Sequence, residues 1–157
     1  MKILITGITG MVGSPLADYL LAHHPDVEVH GLYRWRSPLD NIQHSKDRIG
    51  LHLGDLSDLG SLIRLLDEVR PERIFHLAAQ SYVTTSFNAP ADTLTTNVIG
   101  TTNLLEAVRL SDLDPLIHIC SSSEVYGQVL KEDLPISEHA PLRPASPYAV
   151  SKVGEDM

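Results

Sequence analysis

Residues 2–13 read Lys2-Ile3-Leu4-Ile5-Thr6-Gly7-Ile8-Thr9-Gly10-Met11-Val12-Gly13. An apolar run suited to a buried strand is followed by glycines spaced G-x-x-G-x-x-G. Gly7 allows a tight turn, Gly10 lets backbone approach a pyrophosphate, and Gly13 lets a following helix pack closely on the strand. Pro15 suits the first turn of that helix, where its missing N–H costs nothing. The helix N-terminus then offers unpaired N–H groups to phosphates. A glycine triplet in isolation is an ordinary turn, and its spacing here is not G-x-G-x-x-G. Set between a strand and a helix, it predicts a dinucleotide site touched by Gly7, Gly10, Met11, Val12 and Gly13.

Outward from this turn, short β-branched runs alternate with helix-period segments. Strands are expected near 2–6, 27–33, 48–53, 73–77 and 115–120, and helices near 14–23, 58–69, 91–110 and from 146 onward. The strands read as continuous apolar runs, as in a parallel sheet covered on both faces. The fold expected is α/β: a doubly wound parallel sheet of Rossmann type, with residues 1–157 forming one dinucleotide-binding domain. Ser57 is a candidate N-cap for the helix over 58–69. Leu94, Val98, Leu104, Leu105 and Val108 are expected inward on the helix over 91–110. Arg34–Asp47 and Gln128–Ala145 read as loops.

The formal charge of −8 argues against nucleic-acid or anionic-membrane binding, which need a basic face. A single cysteine, Cys120, excludes an internal disulfide and fits a reducing compartment; it reads as a buried strand residue. No apolar run is long enough to span a bilayer, so a soluble cytoplasmic protein is expected. The histidines read as core or surface residues, and no metal site is expected.

Cofactor choice turns on the residues after the second strand. An acidic residue there accepts from a ribose 2′-hydroxyl, whereas arginine favours a 2′-phosphate. Arg34 and Arg36 stand there, with no carboxylate before Asp40. They favour NADP, with NAD possible, over a merely solvated basic loop. Asp55, after the third strand, either accepts from the adenine amino group or caps the next helix; Leu56 follows it. Leu77, Ala78 and Ala79 end the fourth strand, and the small alanines permit close approach of a ligand. Trp35 either stacks on adenine or covers the loop.

Tyr148 and Lys152 are four residues apart and share one helix face. A nearby ammonium lowers a phenol's pKa and makes the phenolate available as a base. Ser122, after the fifth strand, can hydrogen-bond the same substrate oxygen.

These residues make the chain resemble the extended short-chain dehydrogenase/reductase family. The matching stretches are Thr6–Gly13, Gly54-Asp55-Leu56, Leu77–Ser81, Asn97, Ser121–Gly127 and Ser146–Lys152. The resemblance implies that Ser122, Tyr148 and Lys152 are catalytic and that Asn97 lies on a helix beneath them. Glu124 suits removal of a sugar C5 proton. Ser123-Glu124, Ser81, Ser86 and the arginine-rich 34–36 loop look like the GDP-mannose 4,6-dehydratase branch, with Ser81, Ser86 and Glu124 expected at the substrate. A GDP-4-keto-6-deoxymannose reductase or an NDP-sugar 4-epimerase is the alternative within the family. A non-catalytic dinucleotide-binding module is the alternative outside it. Family members run to roughly twice this length, which implies a chain lacking its substrate-binding half. The helices over 91–110 and from 146 imply a homodimer or homotetramer.

Overall fold

Why the sheet forms where it does is clearest at β1 (Lys2–Thr6), whose Ile3 and Leu4 point to opposite faces and are both buried. In the computed structural model, which describes residues 1–157, β1 is the middle strand of a five-stranded parallel sheet ordered β3-β2-β1-β4-β5. The others are β2 (Glu28–Tyr33), β3 (Gly50–Leu53), β4 (Arg73–His76) and β5 (Leu116–Ile119). Helices α1 (Gly13–His23), α2 (Leu59–Val69), α3 (Val83–Asn88), α4 (Pro90–Leu94), α5 (Gly100–Leu110) and α6 (Pro147–Asp156) complete the regular structure. No helix is long and apolar enough to cross a membrane.

The chain divides into two compact units, Met1–Ala78 with Gly100–Cys120, and Ala79–Ile99 with Ser121–Met157. The first holds the sheet between two apolar layers. Ile3, Ile5 and Val29 pack with Ile8, Ala17 and Leu20 on the α1 face. Leu4, Leu32 and Ile74 pack with Leu62, Leu66, Leu104 and Val108 from α2 and α5 on the other. This is the doubly wound arrangement expected. The strand order reverses between β1 and β4, and open α/β sheets bind ligands beyond the strand ends at such a point.

Several local expectations give way. Asp58, not Ser57, is the N-cap of α2: its carboxylate accepts from the Gly60 amide at 3.0 Å. Ser57 is instead tied back to Asp55 Oδ1 through its amide (2.9 Å) and hydroxyl (2.8 Å). The Arg34–Asp47 stretch is not featureless, because a 3-10 turn at Asp40–Ile42 drives Ile42 into the α1-side core. A second such turn spans Lys46–Arg48. The helix expected over 91–110 contains a π segment at Thr95–Ile99 between α4 and α5. That extra-wide turn resets the buried face, so Leu94 and Leu105 are exposed while Thr93, Asn97 and Thr101 are buried. Cys120 is exposed rather than buried, since it follows the edge strand β5.

On the sheet face covered by α2, His30 Nδ1 and His52 Nε2 lie 3.1 Å apart in a hydrogen bond. Burial, then the nearby His52 and Lys2, hold the His30 imidazole below its ordinary pKa of 6.5, against weaker opposing pulls from Glu28 and Glu68. The folded state therefore binds this proton less readily than the unfolded chain. The sign follows: this contribution is intact above pH 6.5 and is lost as pH falls from there toward the folded pKa. Thermal melts between pH 7.5 and 5.5 should show a falling midpoint, with a smaller fall in His30→Phe.

Candidate active site

In the sheet unit, Gly7 adopts φ +72°, the left-handed region in which glycine avoids strain. A β-carbon there would meet the Ala78 amide nitrogen at 2.9 Å. One placed on Gly13 would overlap the Gly7 carbonyl. The turn closes by Gly10 N–H donating to Gly7 O (2.9 Å) and Ser14 N–H to Gly10 O (3.1 Å). The residue before α1, Val12, supplies no side-chain cap, and Met11 and Val12 are both exposed. A helix start without a side-chain cap leaves its first N–H groups to other acceptors.

A buried polar chain fixes the facing strand end. Thr6 Oγ1 accepts from the Leu77 (3.2 Å) and Ala78 (3.1 Å) amides. With both lone pairs used, its hydroxyl proton must go to His76 Nδ1, 2.8 Å away. His76 Nε2 then donates to Thr101 Oγ1 at 2.9 Å. Every member is satisfied, and the β1 and β4 ends are held in one register beside the glycine turn. Sequence reading placed His76 in a strand but had no signal for Thr6 and Thr101 as its partners.

The remaining candidates in this unit divide. Arg34 and Arg36 are exposed in a turn closed by Ser37 N–H to Arg34 O (2.9 Å), with Arg36 at φ +66°. Trp35 is also exposed there. Asp55 leaves the capping of α2 to Asp58, which removes one of its two readings. Leu56 turns its side chain into the α2–α5 core, and its carbonyl accepts from Asn103 Nδ2 at 2.8 Å, so only its backbone could meet a ligand.

In the second unit, Ser122 is extended and begins a 3-10 turn over Ser123–Tyr126, its hydroxyl accepting from the Glu124 amide at 3.3 Å. Ser123 and Glu124 are exposed, while Val125 is buried and anchors the turn. The Arg143 amide donates to the Val125 carbonyl (2.9 Å), clasping the later loop against it. Ser146 caps α6, accepting from the Ala149 amide at 3.0 Å while donating its hydroxyl to Glu124 Oε2 at 3.2 Å. One hydroxyl thus ties the acidic turn to the helix carrying Tyr148 and Lys152. The Ser146-Pro147 pair, an N-cap followed by proline at the first helical position, was a visible signal for this cap.

Tyr148 and Lys152 are both buried, with Lys152 Nζ 5.9 Å from the Tyr148 ring centroid. Asn97, wholly buried in the π segment, accepts from the Gln80 amide (2.7 Å) and donates to the Gln80 carbonyl (3.1 Å) and Ser151 Oγ (2.8 Å). Ser151 in turn donates to the Tyr148 carbonyl at 2.7 Å. The backbone under Tyr148 is therefore clamped through Asn97 to the segment containing Ser81. Asn97→Leu strands the Gln80 backbone groups and removes the donor to Ser151 Oγ. It is expected to cost about 3 kcal/mol, read as a lower urea midpoint at unchanged slope.

Ala79 is partly buried and Ser81 is exposed at the start of this unit. Ser86 is fully buried, and its hydroxyl donates to the Val83 carbonyl at 2.6 Å. It therefore has a packing role in α3 and offers no exposed atom to a sugar. No three His, Cys, Asp or Glu side chains gather to hold a metal ion.

A doubly wound sheet with a glycine turn at its switch point, followed in the chain by a serine turn and a Tyr-x-x-x-Lys helix, belongs to the extended short-chain dehydrogenases/reductases. Two solved structures of that class resemble the chain closely. DesIV, a dTDP-glucose 4,6-dehydratase from Streptomyces venezuelae with NAD and TYD bound, shares 35% identity and superimposes with a TM-score of 0.85. The match covers 99% of this chain and 49% of that one. RMD from Pseudomonas aeruginosa, complexed with NADPH, shares 35% identity at a TM-score of 0.78, covering 99% and 47%.

Sequence narrows the assignment. The GDP-mannose 4,6 dehydratase family model matches residues 4–157, and the chain belongs to that family. A GDP-mannose 4,6-dehydratase of Vibrio cholerae is 44% identical, over 96% of this chain and 42% of its own length. The chain thus spans less than half the length of that relative.

Proposed function

We propose that this chain is the dinucleotide-binding and catalytic half of an NADP-dependent nucleotide-sugar dehydratase that converts GDP-mannose to GDP-4-keto-6-deoxymannose. The observation that carries the reading is Glu124, an exposed carboxylate held by the Ser146 hydroxyl at the cap of the helix bearing Tyr148, in a chain of the GDP-mannose 4,6-dehydratase family. Forming a ketone at C4 needs a base for the hydroxyl proton, and losing water from C6 needs a second base for the C5 proton. Tyr148 is assigned the first task and Glu124 the second. Ser122 orients the C4 oxygen, Ser123 stands by the C6 hydroxyl, and Ser81 contacts the sugar. Lys152, whose Nζ lies 5.9 Å from the Tyr148 ring centroid, is assigned the support of that base.

When bound, the nicotinamide dinucleotide supplies the hydride acceptor and returns the hydride, so it is not consumed. Gly7, Gly10, Met11, Val12 and Gly13 would hold its pyrophosphate, with Leu77, Ala78 and Ala79 beside it. Tyr148 and Lys152 would meet its nicotinamide end. Exposed Arg34 and Arg36 support NADP over NAD, because guanidinium groups pair with a 2′-phosphate in a bidentate fashion. Asp55 is assigned the adenine amino group. The remainder of the enzyme would supply the sugar and nucleobase pocket. Leu94, Ile99 and Val150 are apolar and exposed on the helices expected at a subunit contact, which supports a homo-oligomer. We further infer that it works in the cytoplasm.

The test is incubation of the whole protein with GDP-mannose and catalytic NADP+, following product mass. Loss of one water without net NADPH formation is expected. NADPH oxidation only with a GDP-4-keto-6-deoxy sugar would move the assignment to a reductase. Absence of both reactions, with dinucleotide still bound, would favour a binding module. In Glu124→Gln, dehydration should fall about 10²–10⁴-fold with cofactor reduction retained.

A further inference from the structure

One charged group in the second unit has no part in the roles assigned above. Glu155 lies one turn beyond Lys152 on α6, its side chain 2% exposed, and its Oε2 accepts from Lys152 Nζ at 2.8 Å. Its other oxygen, Oε1, is buried without a hydrogen-bond partner. Tyr148, Lys152 and Glu155 are spaced i, i+4, i+7 and so share one face of the helix.

Stability offers little reason for a carboxylate here. A buried ion pair gains little over an apolar pair of equal volume, because desolvation offsets the attraction. The unpartnered oxygen adds a further penalty. What the carboxylate does change is the field of the Lys152 ammonium. We propose that Glu155 is a positioning residue for proton transfer, holding Lys152 in place and setting how much of that ammonium's charge reaches the neighbouring Tyr148 phenol. The proposal rests on the reading of Tyr148 as the proton acceptor.

The electrostatics support it. Burial pushes the Glu155 carboxyl above its ordinary range, and the Lys152 hydrogen bond and charge pull less strongly the other way. A carboxylate held in this tension neutralises Lys152 at high pH and releases its full charge as it takes a proton. On the elements packed on α6 within this unit, the other titratable groups are Glu124 and Tyr126 in the 3-10 turn and Asp92 on α4. The α3 helix and the π segment carry none.

Glu155→Gln removes the charge and keeps the shape. The Tyr148 phenol, read as tyrosinate absorbance of the whole protein minus that of Tyr148→Phe, should then ionise about one pH unit lower. The acid limb of kcat/KM should move by the same amount and in the same direction. Glu155→Met should shift it likewise should the glutamine variant fold poorly. Glu155→Asp, retaining the charge at shorter reach, should restore most of the original midpoint. An unmoved tyrosinate midpoint in both uncharged variants, with only a lower melting temperature, overturns the proposal. The tyrosinate titration needs no substrate. A protein inactive on GDP-mannose would defeat the dehydratase assignment while leaving this measurement able to decide the role of Glu155.

Discussion

Replacing Tyr148 with Phe is expected to lower the proposed dehydration of GDP-mannose by about 10³-fold while leaving dinucleotide affinity within a few-fold and the melting temperature nearly unchanged. The asymmetry follows from where the side chain sits. Its ring is packed, at 9% exposure, and Phe keeps that packing. The clamp that holds this turn of α6 acts on the Tyr148 carbonyl through Ser151, not on the phenol. Only the hydroxyl is lost, from a ring whose centroid lies 5.9 Å from Lys152 Nζ. Stopped-flow reduction of bound NADP+ isolates the step, because in the proposed reaction ketone formation at C4 precedes loss of water. Wild-type rates of reduction in Tyr148→Phe would mean that another group takes the C4 proton.

How much of this was legible in the chain depends on how local each cause is. The β1–glycine–α1 unit was readable because its determinants lie within a dozen consecutive residues, and the parallel sheet follows from alternating β and α segments. Ser146 was readable in principle, since a serine before proline and an apolar helix marks a cap. The exposure of Leu94 and Leu105 was not, because a helical wheel assumes an unbroken 3.6-residue period and the π segment at Thr95–Ile99 breaks it. The cause of that break is tertiary: Asn97 is drawn inward by Gln80 and Ser151, the latter 54 residues away in sequence. Asp58 displaced Ser57 as the cap of α2 because Ser57 was already occupied by Asp55 two residues earlier, a competition that composition cannot rank. Ser86 resembles a family substrate contact by position alone, and burial assigns its hydroxyl to Val83. Glu155 carries no sequence signal either, since a glutamate near a helix end ordinarily reads as solvated.

The glycine turn supplies the second large effect and separates two reasons for a glycine. Gly13→Ala should both destabilise the protein and abolish useful cofactor binding. Its β-carbon would overlap the Gly7 carbonyl and lie 2.9 Å from Ile8 Cα, all rigid backbone of the same turn. Relief requires moving Gly7, a position where an added β-carbon would already lie 2.9 Å from the Ala78 amide nitrogen. The expected loss is about 2–3 kcal/mol of stability. Dinucleotide affinity should fall at least about 100-fold, equivalent to roughly 2.7 kcal/mol. Gly10→Ala should behave otherwise. Its β-carbon would meet only the Gly7 carbonyl, at 3.2 Å, and the residue faces solvent. The fold should tolerate it, so any loss of affinity reports the space reserved for the ligand rather than the integrity of the turn. Calorimetric titration with NADP+, alongside thermal melts of both variants, distinguishes the two. Equal melting temperatures for Gly13→Ala and the parent would show that the turn can widen without cost and would remove the argument from close packing. Undiminished NADP+ binding by Gly10→Ala would place the pyrophosphate elsewhere than over this turn.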